Sequence, residues 1–269
     1  VNFKDNNTRL YTIDLTSGEA SWVGTFGLPV ISLAFKTNPI AYATTADNKL
    51  IRFNPTNGSS NQSDIIGLDS GEMIVGLDFR PAKGILYAIT NQSRLLTINT
   101  SNGQVTHVGS TLSPALSGTT FGFDFNPTVD RIRLVSNTGQ NLRLHPDLGT
   151  VVATDGNLNP GTPSITGAAY TNNVAAATST LLYVVDSETN MLYTQSPPND
   201  GVLVAVGPLG INIDADNGFD IGGTIANAFG LFTVGGTKGV YSINLTTGAA
   251  TSIVNFQGNV TAMTVGLGF

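Results

Sequence analysis

A short phrase recurs six times along this chain of 269 residues. Each copy has an apolar strand, then in most copies Asn or Asp, then turn residues and a closing glycine. The copies are LYTIDLTSG at 10–18, LIRFNPTNG at 50–58, LLTINTSNG at 95–103, LRLHPDLG at 142–149, LYTQSPPNDG at 192–201 and VYSINLTTG at 240–248. Asn or Asp before a turn accepts backbone hydrogen bonds, and glycine supplies the positive φ of a bulged hairpin. Each copy therefore predicts the hairpin between the third and fourth strands of a repeating unit.

The closing glycines of successive copies are 40 to 52 residues apart. Repeats of about 40–50 residues with four strands each are typical of β-propeller blades. Further strands fit this unit. Innermost strands are predicted at VGLDF 75–79, FGFDF 121–125 and GFDI 218–221, with weaker copies at ISLAF 31–35 and GAAY 167–170. Second strands are predicted at ILYAIT 85–90, RIRLVS 131–136, LLYVVD 181–186 and AFGLFTV 228–234.

The two ends of the chain indicate how the ring closes. VTAMTVG at 260–266 resembles an innermost strand with nothing after it, and residues 1–24 supply later strands without an innermost one. Pairing these ends completes a sixth blade and removes exposed sheet edges. The sequence therefore predicts an all-β protein, one domain over residues 1–269. The fold is a six-bladed β-propeller with four-stranded blades, closed by pairing the C-terminal strand with the N-terminal strands.

Composition restricts the partners. The net charge is −6 and the isoelectric point is near 4.7, so we expect no nucleic-acid binding. The chain has no cysteine, which excludes disulfides and thiolate metal sites. No apolar run is long enough for a membrane helix, and we expect no membrane insertion. The low charged fraction of 11% and a start at Val1 favour a secreted bacterial protein, and we expect a monomer.

Three aspartates occupy the same position of predicted innermost strands: Asp78, Asp124 and Asp220. The other repeats place Ala34, Ala169 and Met263 there. In a propeller this strand lines the central channel, so the carboxylates are candidates for binding a cation such as calcium. Alternatively, each carboxylate accepts hydrogen bonds from the backbone or from arginine and fixes blade against blade.

Three arginines crowd into one repeat of a chain with only 12 basic residues: Arg131, Arg133 and Arg143. Arginine is suited to bidentate recognition of carboxylate or phosphate, so these residues are candidates for binding an anionic ligand such as an acidic sugar. The alternative is ion pairing with Asp124, Asp130 or Asp78. Because Arg133 is expected to be buried, we predict that it pairs with Asp124 or Asp78.

Two further patterns, an oxygen-rich run and the two histidines, were weighed as metal or catalytic sites. The run from Asp214 to Asp220 alternates oxygen donors, but its spacing does not match an EF-hand. His107 and His145 are the only histidines; no nucleophile elbow accompanies them, and His145 occupies the turn position of its repeat. Neither pattern predicts catalysis.

Four stretches carry a resemblance to a known family: GLDFRPAKGILYAIT, LSGTTFGFDFNPTVDRIRLVSNTGQNLRLHPDLG, AAYTNNVAAATSTLLYVVD and VGGTKGVYSINLTTGAAT. They resemble the bacterial secreted family catalogued as domain of unknown function 4394, and FGFDFNPTVDRIRLVS is the most specific part. The resemblance implies an exported, propeller-like protein. It implies no activity and supplies no catalytic residues.

Two functional hypotheses follow. The first is a non-enzymatic extracellular binding or matrix protein that contacts a polysaccharide or a cell-surface partner through loops on one face. The second is a metal-dependent propeller enzyme of the lactonase or lyase type, with a cation held by Asp78, Asp124 and Asp220. No cofactor is expected under the first hypothesis, and calcium is the candidate under the second.

Overall fold

The computed structural model describes residues 8–14, 17–30, 39–214, 218–223 and 227–267. The chain divides into two compact units, residues 1–37 and 38–269. In the first unit, β1 (Thr8–Ile13) and β2 (Ala20–Phe26) form an antiparallel hairpin. Its turn is the first copy of the repeated phrase: the Asp14 carboxylate accepts a hydrogen bond from the Ser17 amide, and Gly18 has a φ of 74°.

The described part of the second unit contains twenty strands and one short 3-10 turn, Pro198–Asp200. In chain order the strands are β3 (Ala41–Thr45), β4 (Lys49–Phe53), β5 (Ser60–Asp64), β6 (Ile74–Arg80), β7 (Ile85–Thr90), β8 (Leu95–Ile98), β9 (Val105–Val108), β10 (Phe121–Asn126), β11 (Arg131–Ser136), β12 (Asn141–His145), β13 (Thr150–Thr154), β14 (Ile165–Tyr170), β15 (Leu182–Asp186), β16 (Met191–Gln195), β17 (Leu203–Pro208), β18 (Gly218–Ile221), β19 (Ala228–Val234), β20 (Thr237–Ile243), β21 (Ala250–Asn255) and β22 (Val260–Val265).

These strands form five four-stranded antiparallel sheets, the blades of a β-propeller. Blade 1 has the order β22-β3-β4-β5; blades 2 to 5 are β6–β9, β10–β13, β14–β17 and β18–β21. The innermost strands contact one another in a closed cycle, β22 to β6, β10, β14, β18 and back to β22. The predicted all-β propeller with four-stranded blades is confirmed, and the predicted number of six blades is wrong.

The error lies in how the ring closes. The C-terminal strand β22 is innermost, as predicted, but it pairs with β3 and not with a strand in residues 1–24. Met263 lies opposite Ala43, and Val265 lies opposite Ala41. The sequence AYATT of β3 has a single large side chain, Tyr42, and was not predicted to be a strand. Its alanines are fully buried against blade 5, where small side chains fit.

The weaker innermost strand predicted at 31–35 lies outside the described residues, as do residues 1–7 of the segment predicted to complete the sixth blade. The prediction of one domain over residues 1–269 remains a prediction. The described innermost strands share a packing feature that explains their G-x-D pattern. A Cβ atom added at Gly76, Gly122, Gly167 or Gly218 would come within 2.5–2.8 Å of the next innermost strand, so only glycine permits this approach.

Candidate functional site

Three aspartates meet where the innermost strands converge. Asp78, Asp124 and Asp220 occupy the same position of β6, β10 and β18, as predicted, and each is at most 1% exposed. One carboxylate oxygen from each lies within 4.8 Å of the others. We call these three residues the axial aspartates. Blades 2, 3 and 5 therefore each contribute one carboxylate to a single buried cluster.

The other two blades fill the same position with uncharged side chains. Blade 4 places Ala169 there, as predicted. Blade 1 places Thr264 there, and the prediction of Met263 is wrong by one residue. A bulge between Val260 and Ala262 interrupts the regular pairing of β22, and Met263 packs against Gly218 as Phe123 packs against Gly76. The predicted equivalent Ala34 lies outside the described residues.

Each axial aspartate accepts a hydrogen bond from the backbone of the next described inner strand. Asp78 Oδ2 accepts from the Phe125 amide at 2.7 Å, and Asp124 Oδ1 accepts from the Tyr170 amide at 2.9 Å. Asp220 Oδ2 accepts from the Val265 amide at 2.7 Å. These bonds join blade 2 to 3, blade 3 to 4 and blade 5 to 1. The interpretation that the aspartates fix blade against blade is confirmed.

Further donors face the same carboxylates. The Thr264 hydroxyl lies 3.1 Å from Asp78 Oδ1 and 2.8 Å from Asp220 Oδ2, and its single proton serves one of them at a time. Asp78 and Asp220 also accept from the amide of the residue that follows each of them. Most of the donors are therefore backbone amides, and no basic side chain bonds to an axial aspartate among the described residues.

Burial changes the acidity of this cluster. Burial, followed by repulsion from Asp220, raises the pKa of Asp78 well above its usual value. Burial, followed by repulsion from Asp78, does the same to the pKa of Asp124. Burial raises the pKa of Asp220 to about 6, although amide hydrogen bonds oppose the rise. Three carboxylates this close cannot all be ionised unless a cation joins them, so they share protons or hold a cation.

The oxygen-only donor set suits a hard cation such as calcium, but the cluster offers no open side to a substrate because all three carboxylates are buried. The predicted role of the axial aspartates in binding remains a prediction. Of the neighbouring oxygen-rich run, Asp220 is the member that the described residues place in the cluster. Asp216 and Asn217 lie outside the described residues, and the Asp220 carboxylate is turned toward the other two.

A second candidate site lies between blades 3 and 4. A cleft of about 240 Å³ is lined by the predicted arginines Arg131, Arg133 and Arg143, together with Tyr170 and Asn199. We call it the arginine cleft. β11 and β12 supply the arginines, the end of β14 supplies the tyrosine, and the turn before β17 supplies the asparagine. The structure therefore brings the three predicted residues together on one surface.

Arg133 is the buried member of this group, with a side chain 3% exposed. Its Nη1 atom donates to Asp155 Oδ2 at 2.6 Å and to Asn141 at 2.7 Å, and its Nη2 atom donates to Asn199 at 2.8 Å. The prediction that Arg133 is buried and paired with a carboxylate is confirmed. The predicted partners, Asp124 and Asp78, are wrong. The carboxylate that bonds to the Arg133 guanidinium is Asp155, which directly follows β13, the outermost strand of the same blade.

Arg143 and Arg131 differ from Arg133 in their partners. Arg143 binds both oxygens of Asp155, at 2.8 and 3.0 Å. Arg131 donates to the Asp130 carbonyl oxygen at 2.9 Å, and among the described residues it has no ion pair with a carboxylate. Three guanidinium groups thus line the cleft, and among the described residues one carboxylate, Asp155, pairs with two of them.

A third charged cluster joins blades 2 and 3. Arg80, at the end of β6, is 3% exposed and binds Asp130 through two bonds of 2.8 and 2.5 Å. It also binds Asp147 through two bonds of 2.7 and 3.0 Å, and Lys83 binds Asp147 at 2.8 Å. Arg80 and then Lys83 hold the pKa of Asp147 well below its usual range. Asp130, one of the partners predicted for the arginine-rich repeat, is occupied by Arg80.

A fourth group surrounds the buried Glu72. Its Oε2 atom accepts from the Asp69 amide at 3.0 Å and lies 3.3 Å from His107 Nε2, while its Oε1 atom accepts from the Thr90 hydroxyl at 2.8 Å. Side-chain ligand atoms of Asp69, Glu72 and His107 lie within 4.8 Å of one another. Arg94 pairs with Asp69, so a positively charged side chain already neutralises one of the carboxylates that a metal ion would bind. The other histidine, His145, is the last residue of β12, accepts from the Asp147 amide and occupies the turn position of its repeat, as predicted.

Comparison with known proteins identifies the family of this chain. The model of the family described as "Domain of unknown function (DUF4394)" matches residues 49–266. The chain belongs to this family. The match starts within blade 1 and includes both the axial aspartates and the arginine cleft. No curated protein sequence matches the chain at a significant level.

Solved structures show the fold alone. A protein of unknown function from Bacteroides thetaiotaomicron is 13% identical with a TM-score of 0.52, and the alignment covers 82% of this chain and 60% of that one. A nidogen/laminin complex is similar with 15% identity, a TM-score of 0.46 and coverage of 85% and 98%. A Bacteroides uniformis protein with a provisional 6-phosphogluconolactonase name is 15% identical with a TM-score of 0.43 and coverage of 96% and 80%.

No described helix is long and apolar enough to span a bilayer.

Sequence reasoning missed Arg80, Asp147 and Asp155. Arg80 lies two residues after the aspartate of the G-x-D motif in GLDFRP, where FGFDFNP has Asn126, and this difference between aligned repeats was an available signal. Asp147 lies in the repeated hairpin turn and was treated only as a turn residue. Asp155 lies beyond the last strand of its repeat, and no local pattern indicated that it pairs with β11.

Proposed function

We propose that this protein is a non-enzymatic binding protein and that its ligand is an acidic polysaccharide of an extracellular surface or matrix, held in the arginine cleft. The observation that carries the proposal is the charge of the cleft. Arg131, Arg133 and Arg143 face one paired carboxylate, Asp155, which leaves an excess of two positive charges. This excess occurs in a chain whose net charge is −6.

The geometry supports recognition of a carboxylate, sulfate or phosphate group. Arg131 bonds only to a main-chain oxygen among the described residues, so most of its N–H donors are free for a ligand. Arg133 and Arg143 are held in place by Asp155, which keeps their guanidinium planes fixed beside the cleft. Fixed, partly desolvated guanidinium groups bind planar oxyanions more strongly than mobile surface charges do.

The extracellular setting belongs to the proposal and is supported by composition: few charged residues, no cysteine and abundant small polar residues. The enzymatic alternative, a cation-dependent lactonase or lyase, would depend on the axial aspartates. A catalytic cation keeps a coordination position open to substrate. The burial of all three carboxylates and their bonds to backbone amides support the non-enzymatic proposal instead.

The test is an equilibrium binding measurement with polygalacturonate oligomers as the acidic probe and dextran oligomers as the neutral one. We expect the acidic probe to bind, with an affinity that falls as salt is raised. Arg131→Gln should weaken this binding about tenfold or more, because it removes charge-assisted hydrogen bonds worth about 1.5–3 kcal/mol. The matched control is Arg52→Gln, an exposed arginine on β4 of blade 1.

Arg131→Gln should change the free energy of unfolding by less than about 0.5 kcal/mol, because Arg131 has no carboxylate partner. Equal binding by the wild type and Arg131→Gln, or binding of the neutral probe alone, would refute the proposal.

A further inference from the structure

A second cavity opens at the opposite end of the inner strands from the arginine cleft. It has a volume of about 220 Å³ and is lined by residues at or next to the first residues of three inner strands, among them Val260, Val75 and Phe121. The arginine cleft includes Asn126 and Tyr170, the last residues of β10 and β14. The two sites therefore belong to opposite faces of the five-bladed unit. We call the second site the axial cavity.

The axial cavity differs from the arginine cleft in its chemistry. Its walls are partly apolar, with Met73, Val75, Phe121 and Val260. Its polar groups are hydroxyls and an amide, and none of the described side chains that line it carries a charge. An anionic ligand would lose its hydration here without gaining a positively charged partner, so the uncharged, partly apolar lining favours a neutral ligand.

Two hydroxyl groups at this end of the axis lack partners. Thr120 Oγ1 is buried beside the axial cavity and forms no hydrogen bond. Thr166 Oγ1 is also buried without a partner, and Thr166 is 1% exposed. It lines a deeper cavity of about 20 Å³ that shares Val75 and Phe121 with the axial cavity. A buried hydroxyl without a partner costs about 1–3 kcal/mol, which a ligand or a water can recover.

The deeper cavity is large enough for one water molecule, since a water needs roughly 10–15 Å³ of such volume. The axial cavity is larger but lies below the ~300–1,000 Å³ of sites for drug-sized ligands. Its size therefore suits a single ring and not an oligomer. Its lining suits a ring that has hydroxyls on its edge and C–H groups on its face.

We infer that the axial cavity binds one neutral sugar ring, with Phe121 in the apolar wall and with Thr120 Oγ1 as a hydrogen-bond partner after the Thr120 side chain rotates toward the cavity. This site is separate from the arginine cleft in position, charge and ligand class. The protein then has two faces that can each bind a different ligand. The inference is independent of the proposed function, because neither the probe nor the residues are shared.

The test is a titration of the protein with methyl α-glucoside, methyl α-mannoside and methyl β-galactoside, followed by ligand-observed NMR. We expect at least one of these neutral glycosides to bind. Thr120→Val keeps the shape of the side chain and removes the hydroxyl. It should weaken that binding about five- to tenfold, the value of one neutral hydrogen bond of about 1 kcal/mol.

Thr233→Val is the matched control, because Thr233 Oγ1 is also buried without a partner but lies in β19 of blade 5 and does not line the axial cavity. This variant should bind the glycoside as the wild type does. Neither variant should lower the melting temperature without ligand, since each removes an unpaired hydroxyl. Binding of none of the three glycosides, or equal binding by Thr120→Val and the wild type, would overturn the inference. Both variants should still bind polygalacturonate, so failure here is distinguishable from failure of the proposed function.

Discussion

Two neighbouring boundaries between blades both contain a buried arginine, but their charges are balanced differently. Between blades 2 and 3, Arg80 and Lys83 face Asp130 and Asp147, so positive and negative charges are equal. Between blades 3 and 4, Arg133 shares Asp155 with Arg143, and Arg131 adds a third positive charge. The first boundary has no charge left for a ligand, whereas the second has an excess of two.

This difference shows that an arginine whose donors are all used by protein groups can be distinguished from one whose donors remain free for the proposed ligand. Arg80 uses all three of its guanidinium nitrogens on protein partners, two carboxylates and the Tyr87 hydroxyl. Arg131 uses one nitrogen, and on a main-chain oxygen. Burial alone does not distinguish the two boundaries, because Arg80 and Arg133 are equally buried at 3% exposure. The ratio of guanidinium to carboxylate groups does.

The largest effect is expected at the balanced boundary. Arg80→Ala leaves Asp130 and Asp147 beside each other without the guanidinium that joins them, and it removes a buried side chain that links two blades. We expect a loss of about 3 kcal/mol in the free energy of unfolding, at the low end of the usual cost of removing one partner of a buried pair, because Asp130 and Asp147 are partly exposed and Asp147 keeps its bond to Lys83. Urea denaturation at pH 7 measures it.

Lys83→Ala is the control for that experiment, because Lys83 binds the same Asp147 but is 48% exposed. An exposed ion pair is worth at most about 1 kcal/mol, so this variant should be nearly as stable as the wild type. If Arg80→Ala costs no more than Lys83→Ala, the boundary is not held by its charges. Polygalacturonate binding should survive in both variants, since neither residue lines the arginine cleft.

The axial aspartates are the reverse case, three clustered carboxyl groups that bond to no basic side chain of the described residues, and they predict how stability depends on pH. The pKa of Asp220 is raised to about 6 in the folded protein, above the 3.8 of an ordinary aspartate. A raised folded pKa gives stability that is present at low pH and is lost as pH rises through that pKa. From Asp220 alone we expect the protein to lose about 2 kcal/mol of stability between pH 4.5 and 7.5, out of about 3 kcal/mol that is fully present only below the unfolded pKa of 3.8. Urea denaturation across this range, with a chelator present, measures the loss.

Asp124→Asn sharpens this test. Asp124 Oδ1 accepts from the Tyr170 amide, and Asp124 also bonds to Asp220. An asparagine keeps the first bond and can donate to Asp220 without a titrating proton, so the variant should depend less on pH and be at least as stable as the wild type at pH 7.5. If stability instead rises with pH and with added calcium, the cluster binds a cation in place of shared protons.

The repeated hairpins could be read from the sequence because their cause is local. All six closing glycines have positive φ, between 61° and 84°. The Asn before the turn, as at Asn54, Asn99 and Asn244, accepts a hydrogen bond from the amide two residues later. The blade count could not be obtained in the same way. The hairpin of β1 and β2 has the same local signal as the others, but β22 pairs with β3, a choice made by packing between distant segments.

The candidate site followed the same rule. The axial aspartates were predictable because strand position and a repeated motif place them on equivalent strands. The arginine cluster was predictable because three arginines fall within 13 residues. The partner of Arg133 was not predictable, since Asp155 lies 22 residues away and meets it only after β11, β12 and β13 have paired.

A smaller loss of stability than that from Arg80→Ala is expected at the unbalanced boundary, from Arg133→Ala. The substitution removes bonds to Asn141, Asn199 and Asp155, and it leaves a hole beside Tyr170. Asp155 nevertheless keeps both of its bonds to Arg143, so no carboxylate is left buried without a partner. The cost should therefore lie below that of Arg80→Ala, at about 2 kcal/mol, from lost hydrogen bonds of roughly 0.5–1.5 kcal/mol each and not from a stranded charge. Arg133→Ala should also weaken polygalacturonate binding, whereas Arg131→Gln should weaken binding with almost no change in stability. A loss from Arg133→Ala as large as that from Arg80→Ala would mean that Arg143 does not compensate, and that the excess of positive charge has a structural role.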